Sequence, residues 1–151
     1  MDDLLAQLNP EQRKAVTTID GAVLIIAGAG SGKTRVITVR IAYMLSQGIE
    51  AKEILALTFT NKAANEMKQR VKELAGPAAK ELTVSTFHAF GLSVLRRYHR
   101  AVGLRDNFTI YDTADQVALL KETAREEGIP PEDIQLSDLI AIFSKIKTGR
   151  T

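Results

Sequence analysis

Cysteine is absent from the 151-residue chain, which removes disulfides and thiolate metal sites together and leaves the redox compartment open. Net charge is almost absent as well. Lys and Arg number 20 against 18 Asp and Glu, so the formal charge is only +2 and affinity for nucleic acid would have to come from local clusters. No apolar run is long. The longest, residues 22–27, is far too short to span a bilayer. The opening MDDLLAQLNPEQ lacks the basic start and apolar stretch of a secretory signal. Neither an internal repeat nor a low-complexity segment is present. These absences give a cytoplasmic protein as the expectation, and the length suits one domain with a sizeable core.

What is present begins with punctuation. Asn9-Pro10-Glu11-Gln12 reads as a helix start, with Asn9 as cap, Pro10 in the first position and Gln12 closing a capping box. This helix is expected to end near Thr18. Residues 22–27 are continuously apolar between Gly21 and Gly28, the pattern of a parallel strand buried on both faces. A helix over 33–46 follows, with Val36, Ile37, Val39, Ile41 and Leu45 as its apolar face and Gly48 as its stop. Further strands are expected over 54–59 and 82–85, and helices over 62–74 and 86–102, the first stopped by Gly76-Pro77 and the second by Gly103. The order βαβαβα predicts an α/β domain: a parallel sheet of three or four strands flanked by helices. Beyond it, 108–111 is a short strand candidate. Asp112 or Thr113 caps a helix running to about Glu127, Gly128 to Pro131 breaks it, and a last helix covers 137–147.

The segment Ala27-Gly28-Ala29-Gly30-Ser31-Gly32-Lys33-Thr34 matches the phosphate-loop pattern G-x-x-x-x-G-K-[ST], except for Ala in its first position. Small residues let successive backbone N–H groups converge on phosphate oxygens, and the helix that follows adds its positive end. Lys33 supplies a point charge for the β and γ phosphates, and Thr34 a hydroxyl for Mg²⁺. A hydrolase also needs an acid at the end of a second strand. The best candidate, Asp112 after Phe108-Thr109-Ile110-Tyr111, reads better as a helix cap.

Two stretches suggest a single-stranded nucleic acid. In LTFTNKAANEMKQRV, Phe59 stands at the carboxyl end of a strand, where ligands of open α/β sheets gather, with Thr58, Thr60 and Asn61 around it. An aromatic there either stacks on a base or packs in the core. In VSTFHAFGLSVLRRYHR, Thr86 and His88 open a helix. Phe87, Phe90, Leu92, Val94 and Leu95 read as core, and Arg96, Arg97 and Arg100 suit either a nucleic acid or the helix dipole. His88 has no Cys, Ser–Asp pair or second His beside it, so metal and triad readings fail.

Taken in order, these stretches resemble the amino-terminal end of the UvrD/Rep/PcrA family of superfamily 1A DNA helicases. LNPEQRKAV resembles its Q motif, AGAGSGKTR its motif I, where a leading Ala is normal, LALTFTNKAANEMKQRV its motif Ia and VSTFHAFGLSVLRR its motif Ib. FTIYDTADQVALLK resembles the segment that follows, and the helical tail the start of the inserted subdomain 1B. The resemblance implies a P-loop, RecA-like ATP-binding subdomain 1A over residues 1–111 and the beginning of 1B over 112–151. It implies ATP and Mg²⁺ as cofactors, with Gln12 on the adenine edge, Ala27 to Gly32 cradling phosphate, Lys33 and Thr34 as the catalytic pair, Thr34 on the metal, and Arg35 along the adenine or its ribose. Phe59, Thr60, Asn61, Thr86 and His88 would line a track for single-stranded DNA.

The family's acidic motif II and its motifs III to VI do not occur in these residues. The expectation is therefore an amino-terminal piece of a 3′→5′ helicase of repair or replication restart. Alone it would bind nucleotide weakly and hydrolyse it negligibly. Sheet surface left uncovered would be masked by the tail, by self-association, or poorly. Two alternatives stand beside this one: the amino end of an AddA/RecB-type helicase–nuclease subunit, and a free-standing P-loop nucleotide-binding module.

Overall fold

The computed structural model describes residues 1–130 and 135–149, and these form two compact units, residues 1–102 and 103–151. The first holds a short helix α1 (Asp2–Ala6), then α2 (Pro10–Thr17), α3 (Lys33–Ser46), β1 (Leu55–Thr58), α4 (Asn61–Ala75), β2 (Thr83–Thr86) and α5 (Phe87–Arg97). The second holds α6 (Thr113–Glu126) and α7 (Leu136–Lys147). No described helix is long and apolar enough to cross a membrane.

The helix starts follow their caps. Asn9 accepts from the Gln12 N–H and the Gln12 side chain accepts from the Asn9 N–H, a complete capping box at α2. Thr60 and Thr86 cap α4 and α5 through bonds from the Ala63 and Ala89 N–H groups. Asp112 caps α6 by a second box with Asp115, so the one candidate hydrolytic acid of the sequence is occupied as a cap. Of the expected break after α6, Pro131 lies outside the described residues.

The sheet is smaller than the sequence predicts. Among the described residues it has two strands, β1 and β2, parallel, in the register Leu55↔Thr83 to Thr58↔Thr86. The expected strand over 22–27 pairs with nothing there. Leu24 and Ile26 are 85% and 90% exposed, against 39% and 40% for Val23 and Ile25. This alternation is that of an extended chain with one side turned to solvent. An apolar run states that a segment should be covered, but only a neighbouring backbone makes it a strand. The candidate over 108–111 likewise forms no strand among the described residues, with Ile110 and Tyr111 exposed. The β-branched and aromatic content that suggested it cannot substitute for a ladder.

The first unit's core is divided by α3. Ile41 packs with Ala56 of β1, Met67 and Val71 of α4, and Ile54 and Leu82, which immediately precede β1 and β2. Val36 and Val39 pack with Leu8 and Val16, joined by Tyr43. Positions 36, 39 and 43 form one stripe of α3 while 41, 44 and 45 form another, so this helix is apolar on two faces. The core reading fails for α5, which buries no residue: Phe87 is 62% exposed, and Val94 and Leu95 are also exposed. A helix packed against only a two-stranded sheet has little surface to lean on. In the second unit α6 and α7 touch each other, Ala124 is buried, and the Ile129 N–H closes the end of α6 on the Ala124 carbonyl.

Candidate functional site

The loop between residue 27 and α3 is shaped by glycine. Gly30 and Gly32 have φ of +74° and +83°, a region that side chains with a Cβ avoid. A Cβ on Gly32 would also come within 3.4 Å of Gln12 Nε2. Gly32 is the cap residue of α3 and offers no side-chain cap, so the first N–H groups of α3 have no capping partner from that residue. The Gly28 carbonyl gathers the loop, accepting from the Ser31 hydroxyl at 2.7 Å and from Lys33 Nζ at 2.6 Å. Lys33 Nζ also donates to the Ala27 carbonyl at 3.0 Å. Its ammonium is thus folded over the same loop whose N–H groups would hold an anion. Ala29 is exposed within the loop, and Thr34 is exposed on the first turn of α3.

The helix α2 reaches this loop through one side chain. Gln12 Nε2 donates to the Ser31 carbonyl at 3.1 Å while Oε1 accepts from Asn9. A primary amide has two N–H donors and two lone pairs, so one of each remains. Beside it lies a hollow of about 250 Å³ lined by Asn9, Gln12, Ile25, Ala27, Ser31 and Lys33 among others. Arg35 extends from α3 to Gln7, donating to its Oε1 at 2.8 Å.

Sequence reasoning missed Arg40 entirely. From α3 its guanidinium donates to the carbonyls of Ala15 and Thr18, tying down the end of α2. The only available signal was a basic residue set between Val39 and Ile41 in the apolar middle of α3.

The second group of expected residues meets at the carboxyl ends of β1 and β2. Because Thr58 pairs with Thr86, the segments 59–61 and 87–88 leave adjacent strands side by side. Phe59 is 86% exposed, which excludes the core reading. Asn61 and His88 are exposed on the first turns of α4 and α5. Thr86 is buried as the cap of α5, and Thr60 is exposed as the cap of α4, so both hydroxyls already accept a helix N–H. Phe87, assigned to the core by its sequence pattern, joins Phe59 as a second exposed aromatic one residue beyond the ladder.

Comparison with known proteins covers all of these segments. The family described as the UvrD/REP helicase N-terminal domain matches residues 8–151. The ATP-dependent DNA helicase PcrA of Bacillus subtilis is 45% identical over 99% of the chain, and that of Staphylococcus aureus strain Mu50 is 45% identical over 97%. The ATP-dependent DNA helicase Rep of Salmonella typhimurium is 48% identical over 93%. The chain spans 20% of the length of the two PcrA relatives and 21% of that of Rep. With the loop, the α2 link and the paired strand ends all inside the matched residues, the chain belongs to the UvrD/REP helicase N-terminal domain family.

Proposed function

We propose that these residues are the nucleotide-holding amino-terminal part of an ATP-dependent 3′→5′ DNA helicase that moves along single-stranded DNA. The observation that carries this is the hollow shared by α2 and the glycine loop, with Gln12 and Lys33 both in its wall. Residues 1–111 would belong to a P-loop, RecA-like subdomain 1A, and 112–151 to the start of 1B.

The residues fit a nucleoside triphosphate. The positive-φ glycines and the uncapped start of α3 suit a phosphate, whose oxygens would take over the ammonium of Lys33 from the Ala27 and Gly28 carbonyls. The exposed Thr34 hydroxyl would hold Mg²⁺, and the free N–H and lone pair of Gln12 match the paired acceptor and donor of an adenine edge. Ala27, Gly28, Ala29, Gly30, Ser31 and Gly32 supply the cradle, and Arg35 would cover the base. ATP with Mg²⁺, when bound, supplies the anhydride whose cleavage drives movement. The one candidate acid that the sequence offers for that cleavage, Asp112, is occupied as the cap of α6. These residues alone therefore bind nucleotide without turning it over.

Phe59, Thr60, Asn61, Thr86 and His88, with Phe87 added, would form the DNA-facing corner. Exposed aromatics at adjacent strand ends suit stacking on successive bases, which a free-standing P-loop module has no use for. The test is binding of labelled ATP and of oligo-dT to the chain, with ATP hydrolysis measured in parallel. Salt-dependent oligo-dT binding, nucleotide binding weakened in Lys33→Ala, and no turnover are expected. Hydrolysis stimulated by single-stranded DNA would overturn the assignment of an incomplete site.

A further inference from the structure

At the opposite end of α4 from Asn61, a second hollow of about 460 Å³ is lined by Lys68, Lys72, Gly76, Pro77, Ala79 and Lys80. It forms because Gly76–Ala79 turns as a 3-10 segment just after α4 and Lys80 closes it by a bond from its N–H to the Pro77 carbonyl.

Two of the three lysines, Lys68 and Lys72, are unusual in their neighbours. On α4, Lys62 has Glu66 four residues on, and Arg70 has Glu66 and Glu73 at helical spacing. Lys68 and Lys72 have no acid three or four residues away in either direction, and they stand four residues from each other, a spacing that repels. The helix dipole accounts for Lys72, in the last turn, but not for Lys68. The Lys52–Glu50 ion pair involves none of the three. The floor between the lysines is apolar: Pro77, Ala79 and the lysine stems.

We propose that this hollow docks an acidic peptide segment bearing an apolar side chain, the carboxylates meeting Lys68, Lys72 and Lys80 and the side chain seated on Pro77 and Ala79. Charge complementarity selects an anionic partner, and the apolar floor selects among anions. A nucleic acid is disfavoured because no aromatic lines the hollow for a base to stack on, and a hydrated phosphodiester backbone would leave the floor uncovered. The site is independent of the nucleotide loop.

The experiment titrates the full chain with a fluorescein-labelled peptide of one phenylalanine flanked on each side by aspartates, beside the same peptide with serine replacing phenylalanine, and beside oligo-dT. Binding of the phenylalanine peptide should weaken with salt, fall by about tenfold in the Lys68→Gln/Lys72→Gln/Lys80→Gln variant, and exceed the serine peptide by about fivefold. All three lysines are exposed, so the variant should keep the parent melting temperature, and Lys62→Gln serves as a charge control that leaves binding unchanged. Equal affinity for the two peptides, an unaffected triple variant, or displacement of the peptide by oligo-dT at lower concentration would each overturn the proposal.

Discussion

Gln12 donates an amide N–H to the Ser31 carbonyl across 3.1 Å, so the residue that closes the capping box of α2 also holds the glycine loop. Gln12→Ala removes both bonds. Stability should fall by about 0.5–2 kcal/mol, the range for losing a cap interaction, as read by denaturant unfolding. Affinity for ATP should fall more than affinity for inorganic triphosphate if the Gln12 amide faces the adenine, because that contact is then lost together with the loop support. Equal losses for the two ligands would remove Gln12 from base recognition.

Lys33→Ala leaves the Ala27 and Gly28 carbonyls without their ammonium donor, but these lie in an exposed loop. Unfolding should shift by less than about 1 kcal/mol, as for most surface changes. Nucleotide affinity should fall by about 10–100-fold, the equivalent of one or two hydrogen bonds to a charged group. Titration with a fluorescent ATP analogue checks both halves when combined with a melt.

Phe59→Ala and Phe87→Ala test the corner at the strand ends. Both rings are mostly exposed, so neither change should cost more than about 0.5 kcal/mol of stability. Each should weaken oligo-dT binding by about 1–3 kcal/mol if the ring stacks on a base. A stability loss without a change in DNA affinity would return these residues to packing.

Met67→Ala probes the core shared by α3, α4 and the sheet. Met67 is 6% exposed and packs with Ile41, Ile54 and Val71. The expected loss is about 2–5 kcal/mol, a large share of the stability of a chain this size. Urea unfolding with an unchanged slope would assign the loss to the native core.

Leu24→Ser with Ile26→Ser removes the two most exposed large aliphatic side chains of the 22–26 segment. Beside this segment and α2 lies an open hollow of about 550 Å³. Concentration-dependent association of the parent chain should fall in the double variant, as measured by sedimentation. An unchanged sedimentation profile would mean that this face does not drive self-association.

Helix starts were legible in the sequence because a cap is a local device. Asn9, and Asp112 as one of two candidates beside Thr113, are each read from a few neighbouring residues, and each caps its helix. The strands over 55–58 and 83–86 were legible for a different reason: each had the other to pair with. Residues 22–27 carry an even clearer apolar run, yet burial depends on a partner that hydropathy does not name. Phe87 was misread because a helix pattern locates an apolar stripe without telling whether anything covers it. Arg40 acts across space, where spacing along the sequence is silent, and Lys80 joins the Lys68–Lys72 pair only through the turn after α4.

The ladder between β1 and β2 is only four residue pairs long, yet it fixes the separation of the two corners that carry Phe59 and Phe87. Sliding one strand past the other by a single residue would turn every side chain to the opposite face. The joint is therefore all-or-none in shear. A molecule that gripped both rings and pushed along the strands would move the pair as one piece, since Thr86, the cap of α5, is in the last rung and Thr60, the cap of α4, follows Thr58 by two residues.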